Sequence, residues 1–219
     1  MRSMPLRKMT LLRSYSVLIT LLALASCQLF NMEVAPGQVL FQDEFSLPSS
    51  GWDRYQDDTY MADYDDGEYK LILHTPQTLA WSVPGIQLQD ARMRVQARRA
   101  DGPEDNLFGL ICRYRGPGDF IFFAIASDGY AGIGRFAAGQ RTLLSDESLL
   151  PTGSLILPDG VNIIEADCVG ERLTLRINGV EVAHAKDPDP APGDVGLLAG
   201  AYEEAGVDIR FDRFSALQP

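Results

Sequence analysis

Histidine is nearly absent from this chain: of 219 residues, only His74 and His184 carry an imidazole. Neither stands in a serine or cysteine nucleophile motif, which excludes triad chemistry, and neither has the spacing of a zinc ligand. Basic residues are scarce too, with 19 Lys and Arg against 30 Asp and Glu for a net charge of −11. That balance excludes nucleic acid or an anionic lipid surface as the main partner, since both require a basic footprint. No glycine-rich loop precedes a helical pattern, so nothing is built to cradle phosphates. Beyond the N-terminus there is no long 3.6-residue period, no repeat at a solenoid spacing and no low-complexity tract.

The N-terminus is different. Arg2, Arg7, Lys8 and Arg13 precede an apolar run over residues 15–25 without a single acidic side chain, which is the layout of a signal peptide. The run is shorter than the roughly 20 apolar residues of a spanning helix. It ends in Leu24-Ala25-Ser26-Cys27, which resembles the lipobox of bacterial lipoproteins. The resemblance implies cleavage before Cys27, lipid on Cys27 and a place on the extracytoplasmic side of a bacterial cell envelope, anchored to the membrane. Gln28 follows the cysteine, and the choice of membrane stays open. Removing residues 1–26, with four basic and no acidic residues, leaves 193 residues of net charge −15. Residues 27–38 read as the lipidated cysteine and a tether of at most about 35 Å, and residues 39–219 as one domain.

With Cys27 assigned, Cys112 and Cys168 remain as an even pair in a compartment where disulfides persist. A bridge is the expectation, and two small buried thiols the alternative.

From residue 39 onward the apolar pattern has a period of two. Ala91-Arg92-Met93-Arg94-Val95-Gln96-Ala97-Arg98 alternates apolar with polar, as a half-buried strand does. Residues 120–125 are apolar at both parities, which predicts a central strand packed on both faces. Further strands are predicted over residues 107–115, 161–168, 172–177, 180–185, 194–199 and 207–214. Asn178-Gly179 predicts a type I′ hairpin that pairs Ile177 with Val180, Arg176 with Glu181 and Leu175 with Val182. Asp128-Gly129 and Gly170-Glu171 predict two more hairpins. Many short strands and turns without helices give an all-β fold class, a two-sheet antiparallel sandwich.

Phe41-Gln42-Asp43-Glu44-Phe45, Gly51-Trp52, Leu110-Ile111-Cys112-Arg113-Tyr114, Asp167-Cys168-Val169-Gly170, Ile177-Asn178-Gly179 and Phe211-Asp212-Arg213-Phe214 together resemble the concanavalin A-like (laminin G-like) jelly-roll domains of bacterial surface lipoproteins. The resemblance covers roughly residues 39–217. It implies two antiparallel sheets with the first and last strands adjacent, one sheet often concave and used for glycans. The activities it implies run from lectins to glucanase-type glycosidases and a family acting on 3-keto sugars.

Among the residues themselves, Glu165, Asp167 and Glu171 come nearest to a glucanase acid pair. Six residues of strand cover about 20 Å, against the roughly 5–5.5 Å between the carboxyls of a retaining enzyme, so they read as a solvated strand face. The stretch over residues 53–68 interleaves seven carboxylates with tyrosines. It reads as a solvated acidic loop, or as a calcium site using Asp63, Asp65 and Asp66, although it lacks the alternate-residue spacing of an EF-hand. A second calcium option ties Asp43 or Glu44 to Asp212 on paired terminal strands. For an oligo- or polysaccharide, whose sugar rings pair an apolar face with a fringe of hydroxyls, the candidate platform is Trp52, Tyr55, Tyr60, Trp81, Tyr130 and Tyr202. For any one of these, packing beneath a loop is the competing role. Arg92, Arg94 and Arg98 line one strand face, as a wet sheet surface or as partners of an acidic glycan. The functional expectation is therefore a glycan-binding module. The alternatives are a structural or protein-interaction lipoprotein and a sugar-active enzyme.

Overall fold

The structure is a computed structural model and describes residues 35–219. The expected signal peptide and Cys27 lie outside the described residues. Seventeen strands form two antiparallel sheets, and no helix occurs among the described residues.

The nine-stranded sheet runs β15 (Val180–Lys186), β14 (Arg172–Ile177), β13 (Asn162–Val169), β7 (Ala91–Asp101), β17 (Val207–Leu217), β4 (Glu68–Leu73), β3 (Tyr60–Asp65), β2 (Tyr55–Gln56), with β1 (Val39–Asp43) also on β17. The first and last strands are thus adjacent, Asp43 facing Phe214. The eight-stranded sheet runs β11 (Gln140–Leu143), β10 (Tyr130–Ala137), β9 (Asp119–Ile125), β8 (Asn106–Gly116), β16 (Gly193–Ala201), β5 (Leu79–Ser82), with β12 (Leu150–Pro151) on β10 and β6 (Gln87–Leu88) on β16.

Alternation decides what lies between the sheets. Ala91, Met93, Val95 and Ala97 of β7 point inward, as do Ile164, Ala166 and Cys168 of β13. They meet Phe108, Leu110, Ile121, Phe123 and Leu197 from the other sheet. Cys112 of β8 and Cys168 of β13 form a disulfide across this core, with Cα atoms 6.7 Å apart. Strand β9 is buried at both parities because its other face, Phe120, Phe122 and Ala124, belongs to a second apolar cluster on the outside of the eight-stranded sheet.

The predicted hairpins form, with two adjustments. At Asn178-Gly179 both residues have positive φ (50° and 83°), and Ile177 faces Val180 and Arg176 faces Glu181. A bulge then shifts the ladder, so Leu175 faces Ala183 rather than Val182. At Gly129 the ladder stops at Ile125 facing Ala131, making the connection longer than two residues.

The reading of residues 53–68 as an acidic loop is overturned: most of that stretch is strand. Ala62 is buried and Tyr64 half-buried on one face of β3, which pairs with β4 through a turn at Asp66 and Gly67 with φ of 50° and 83°. Asp63 and Asp65 are the outward alternation of β3, Asp66 is in the turn, and Asp53, Asp57 and Asp58 lie in the segments before β3.

Candidate functional site

Aromatic side chains from β5, β8, β9 and β10 gather on the outer face of the eight-stranded sheet. Trp81 of β5 sits 5.7 Å from Phe120 of β9, centroid to centroid, and Tyr114 of β8 sits 5.8 Å from the same ring. Phe120 stacks in turn on Phe136 of β10 at 5.3 Å and 7°. The Trp81 indole N–H donates to the Tyr114 hydroxyl at 3.2 Å. Phe120 is buried under its neighbours, while Trp81, Tyr114 and Phe136 keep part of their surface in solvent. Glycine makes the row fit: a Cβ on Gly134 of β10 would stand 2.2 Å from the Phe122 ring, which lies over that position.

Two polar features border the row. Asp194 of β16 faces Tyr114 across the ladder, and its Oδ1 is buried with no hydrogen-bond partner among the described residues. Burial pushes the Asp194 carboxyl up from the usual aspartate range. Beyond Phe136, Arg141 of β11 donates to the Tyr202 hydroxyl at 3.0 Å and lies over its ring at 5.3 Å. Strands β10, β9 and β8 separate β11 from β16, so these two side chains lean toward each other across the outer face. Beneath them is a depression of about 250 Å³ floored by Leu79, Leu107 and Gly200.

The aromatic residues singled out in the sequence are therefore divided. Trp81 and Tyr202 share this face. Tyr55 and Tyr60 pack against each other at 4.7 Å, tilted by 30°, at the edge of the nine-stranded sheet, where burial, then Asp57, pushes the Tyr60 phenol up. Tyr130 stands alone, 42% exposed, at the β9–β10 connection. Trp52 is corrected outright: it is 4% exposed, edge-on to Phe214 at 5.1 Å, and has no face left for a ligand. Tyr114, Phe136, Arg141 and Asp194 were not read from the sequence. The period-two pattern of β10 held part of that signal, since Phe136 falls on the outward parity, whereas Tyr114 falls on the inward parity of β8 and reaches the outer face only past the register shift after Cys112, where Arg113 has φ of 55°.

The calcium sets do not assemble. Asp63 pairs with Arg54 at 2.6 Å, Asp65 pairs with Arg210 at 2.6 Å and Lys70 at 3.3 Å, and Asp66 occupies the turn. Each ion pair holds its carboxyl below the ordinary range. Asp43 accepts from the Trp52 indole at 2.8 Å and from the Phe45 amide at 2.8 Å, while Asp212 and Glu44 lie beside Arg213. No group of three or more His, Cys, Asp or Glu among the described residues is placed to hold a metal ion.

On the opposite sheet the arginine stripe is largely paired: Arg92 to Asp167 at 3.6 Å, Arg94 to Glu165 at 3.8 Å and Arg98 to Glu68 at 2.6 Å. Glu165 and Asp167 are thus members of a charge ladder, and Glu171 lies in the β13–β14 turn.

No protein-family model and no curated protein matches the sequence. Solved structures do resemble the fold. A Bacillus subtilis carbohydrate-binding module, CBM66, aligns at TM-score 0.55 and 13% identity over 77% of this chain and 96% of its own. A Bacillus licheniformis β-glucanase aligns at 0.60 and 14%, over 84% of this chain and 100% of its own. The GH43 protein BlXynB of Bacillus licheniformis aligns at 0.60 and 11%, over 81% of this chain, which spans only 39% of that protein. At such identities the likeness is one of fold: a concanavalin A-like jelly-roll sandwich.

Proposed function

We propose that the outer face of the eight-stranded sheet binds an oligo- or polysaccharide, and that lipid on Cys27 holds the chain at a bacterial cell envelope, extracytoplasmically. The observation that carries the first part is the aromatic row Trp81–Phe120–Phe136, with Tyr114 and the unpartnered Asp194 carboxylate oxygen beside it. Aromatic faces take the apolar face of a sugar ring, and a buried acceptor without a partner takes a hydroxyl proton. The shared fold with a carbohydrate-binding module and a β-glucanase supports the same reading. Export is supported by the sequence around Cys27 and by the Cys112–Cys168 bridge, which suits an oxidising compartment.

The test is a glycan array followed by calorimetry on the wild type and on Trp81→Ala, each checked for folding by circular dichroism. Binding to a defined sugar class, weakened about tenfold or more by Trp81→Ala, is the expected result. Silence of folded wild-type protein across the array would remove the glycan reading and favour a protein partner. Metabolic labelling with a fatty acid, compared with Cys27→Ala, tests the anchor separately.

A further inference from the structure

The outer face of the nine-stranded sheet carries a depression of about 520 Å³, larger than the one beside the aromatic row. Two of its cations lack the carboxylate partners that neutralise the cations elsewhere on that sheet. Elsewhere on this face the cross-strand neighbours either oppose charge to charge, as Arg92 with Asp167, Arg94 with Glu165 and Arg176 with Glu181, or, where cations meet, as Arg210 between Arg98 and Lys70, are neutralised by Glu68, Asp65 and Asp208. At the far end of the β14–β15 ladder, Arg172 faces Lys186 directly. Like charges placed opposite one another destabilise a ladder. Neither of these cations has a carboxylate within 4.0 Å among the described residues, although the chain carries 30 acidic side chains against 19 basic ones.

The carboxylates in the depression do not relieve this. Asp167 is shared between Arg92 and Arg176, Glu181 lies 3.7 Å from Arg176, and Glu171 stands in the adjoining turn without closing on either cation. Next along the same ladder, Thr174 faces His184. Thr174 is 4% exposed, and its hydroxyl makes no hydrogen bond among the described residues. Two unneutralised cations, a spare hydroxyl and an imidazole therefore line one concavity. Arg172 and Lys186 are both exposed, so a ligand can reach them.

We propose that this depression is a second binding site, for the anionic group of a hydroxylated ligand, with Arg172 and Lys186 clamping a carboxylate or sulfate and Thr174 and His184 meeting neighbouring hydroxyls. The ligand class is an acidic sugar: a uronate, or a sugar bearing a sulfate ester. Arginine suits planar carboxylate and tetrahedral sulfate alike through paired N–H donors, and lysine adds a point charge. The site lies on the sheet opposite the aromatic row, so it stands or falls independently of neutral-glycan binding there.

Calorimetry and thermal unfolding of the purified full chain, at constant ionic strength, test it with glucuronate, glucose 6-sulfate, glucose and inorganic sulfate. Glucuronate or glucose 6-sulfate should bind and raise the Tm, while glucose at the same concentration should not act through this site. Arg172→Gln and Lys186→Gln should each weaken that binding about tenfold or more, and each should leave the unliganded Tm unchanged or higher, because the like-charge contact is gone. Trp81→Ala should leave acidic-sugar binding intact, which separates this site from the proposed glycan face. Equal response to inorganic sulfate and to glucose 6-sulfate would reduce the site to a general anion trap and overturn the sugar assignment. Acidic-sugar binding that survives both substitutions, or no binding at all, would overturn the site.

Discussion

At the scale of single residues, Asp194 is the side chain whose chemistry departs furthest from its neighbours on the proposed glycan face. Its raised carboxyl binds a proton more tightly in the folded state than in the unfolded chain. The stability drawn from that proton is fully present below the ordinary aspartate range and is lost as pH rises through the raised value. Asp194→Asn stays neutral throughout. It should therefore unfold at a higher temperature than wild type at pH 7, and the advantage should vanish near pH 3. Thermal melts at the two pH values check this, and an equal gain at both would show that charge burial is not its cause. Asn retains only a weaker acceptor, so the same variant should lose sugar affinity while gaining stability. None of this was legible in the sequence. Asp194 reads there as one more acidic residue at the start of a strand, and only tertiary burial against β8 distinguishes it. Trp52 failed in the opposite direction, since a tryptophan beside Gly51 reads as loop, and what sequesters it is Asp43, nine positions upstream, accepting its indole proton.

At the scale of elements, the sequence was most informative where one face of a strand is wet. β7, β13 and β14 alternate cleanly, and their predicted spans lie within a few residues of those observed. It was least informative for β2 to β6, where acidic and aromatic residues obscure the alternation, and for the β15 bulge at Val182, which shifts the register between Arg176 and Leu175. The Asn178 turn shows why local chemistry there was decisive. Its φ of 50° suits asparagine, and its side chain also ties three segments together: Oδ1 accepts from the Ile163 amide at 2.8 Å, and Nδ2 donates to the Leu155 carbonyl at 2.8 Å and to the Asn162 side chain at 3.1 Å. Asn178→Ala removes all three bonds and strains the backbone, at a cost of about 2–3 kcal/mol. Asn178→Gly relieves the strain alone and should recover only part of that. Urea unfolding should show both losses as a shifted midpoint at unchanged slope. Full recovery by glycine would mean that the side-chain bonds contribute nothing.

At the scale of the whole molecule, the chain crosses from one sheet to the other six times, at β4–β5, β6–β7, β7–β8, β12–β13, β15–β16 and β16–β17, and the disulfide is the one covalent link between the sheets, among the described residues, that is not backbone. It joins β8 in one sheet to β13 in the other across 56 positions of sequence, and both cysteines are at most 2% exposed. Closing a loop of that length restricts the unfolded chain by about 4 kcal/mol in the chain-entropy account. Little of the effect is expected in the folded state, because Cys112 and Cys168 already sit among Leu110, Ile121 and Ala91 as small apolar side chains. The paired variant Cys112→Ala/Cys168→Ala should therefore keep the circular dichroism of the wild type and its binding on both outer faces. Its Tm should fall by about 8–16 °C, at roughly 2–4 °C per kcal/mol for a domain of this size. The urea slope should rise as well, since an uncrosslinked chain exposes more surface on unfolding. Reductant should reproduce the loss in the wild type only slowly under native conditions, because the buried bridge must wait for the sandwich to open. An immediate response to reductant at room temperature would mean that the sheets separate readily, and the bridge would then be maintaining the native packing rather than limiting the unfolded chain.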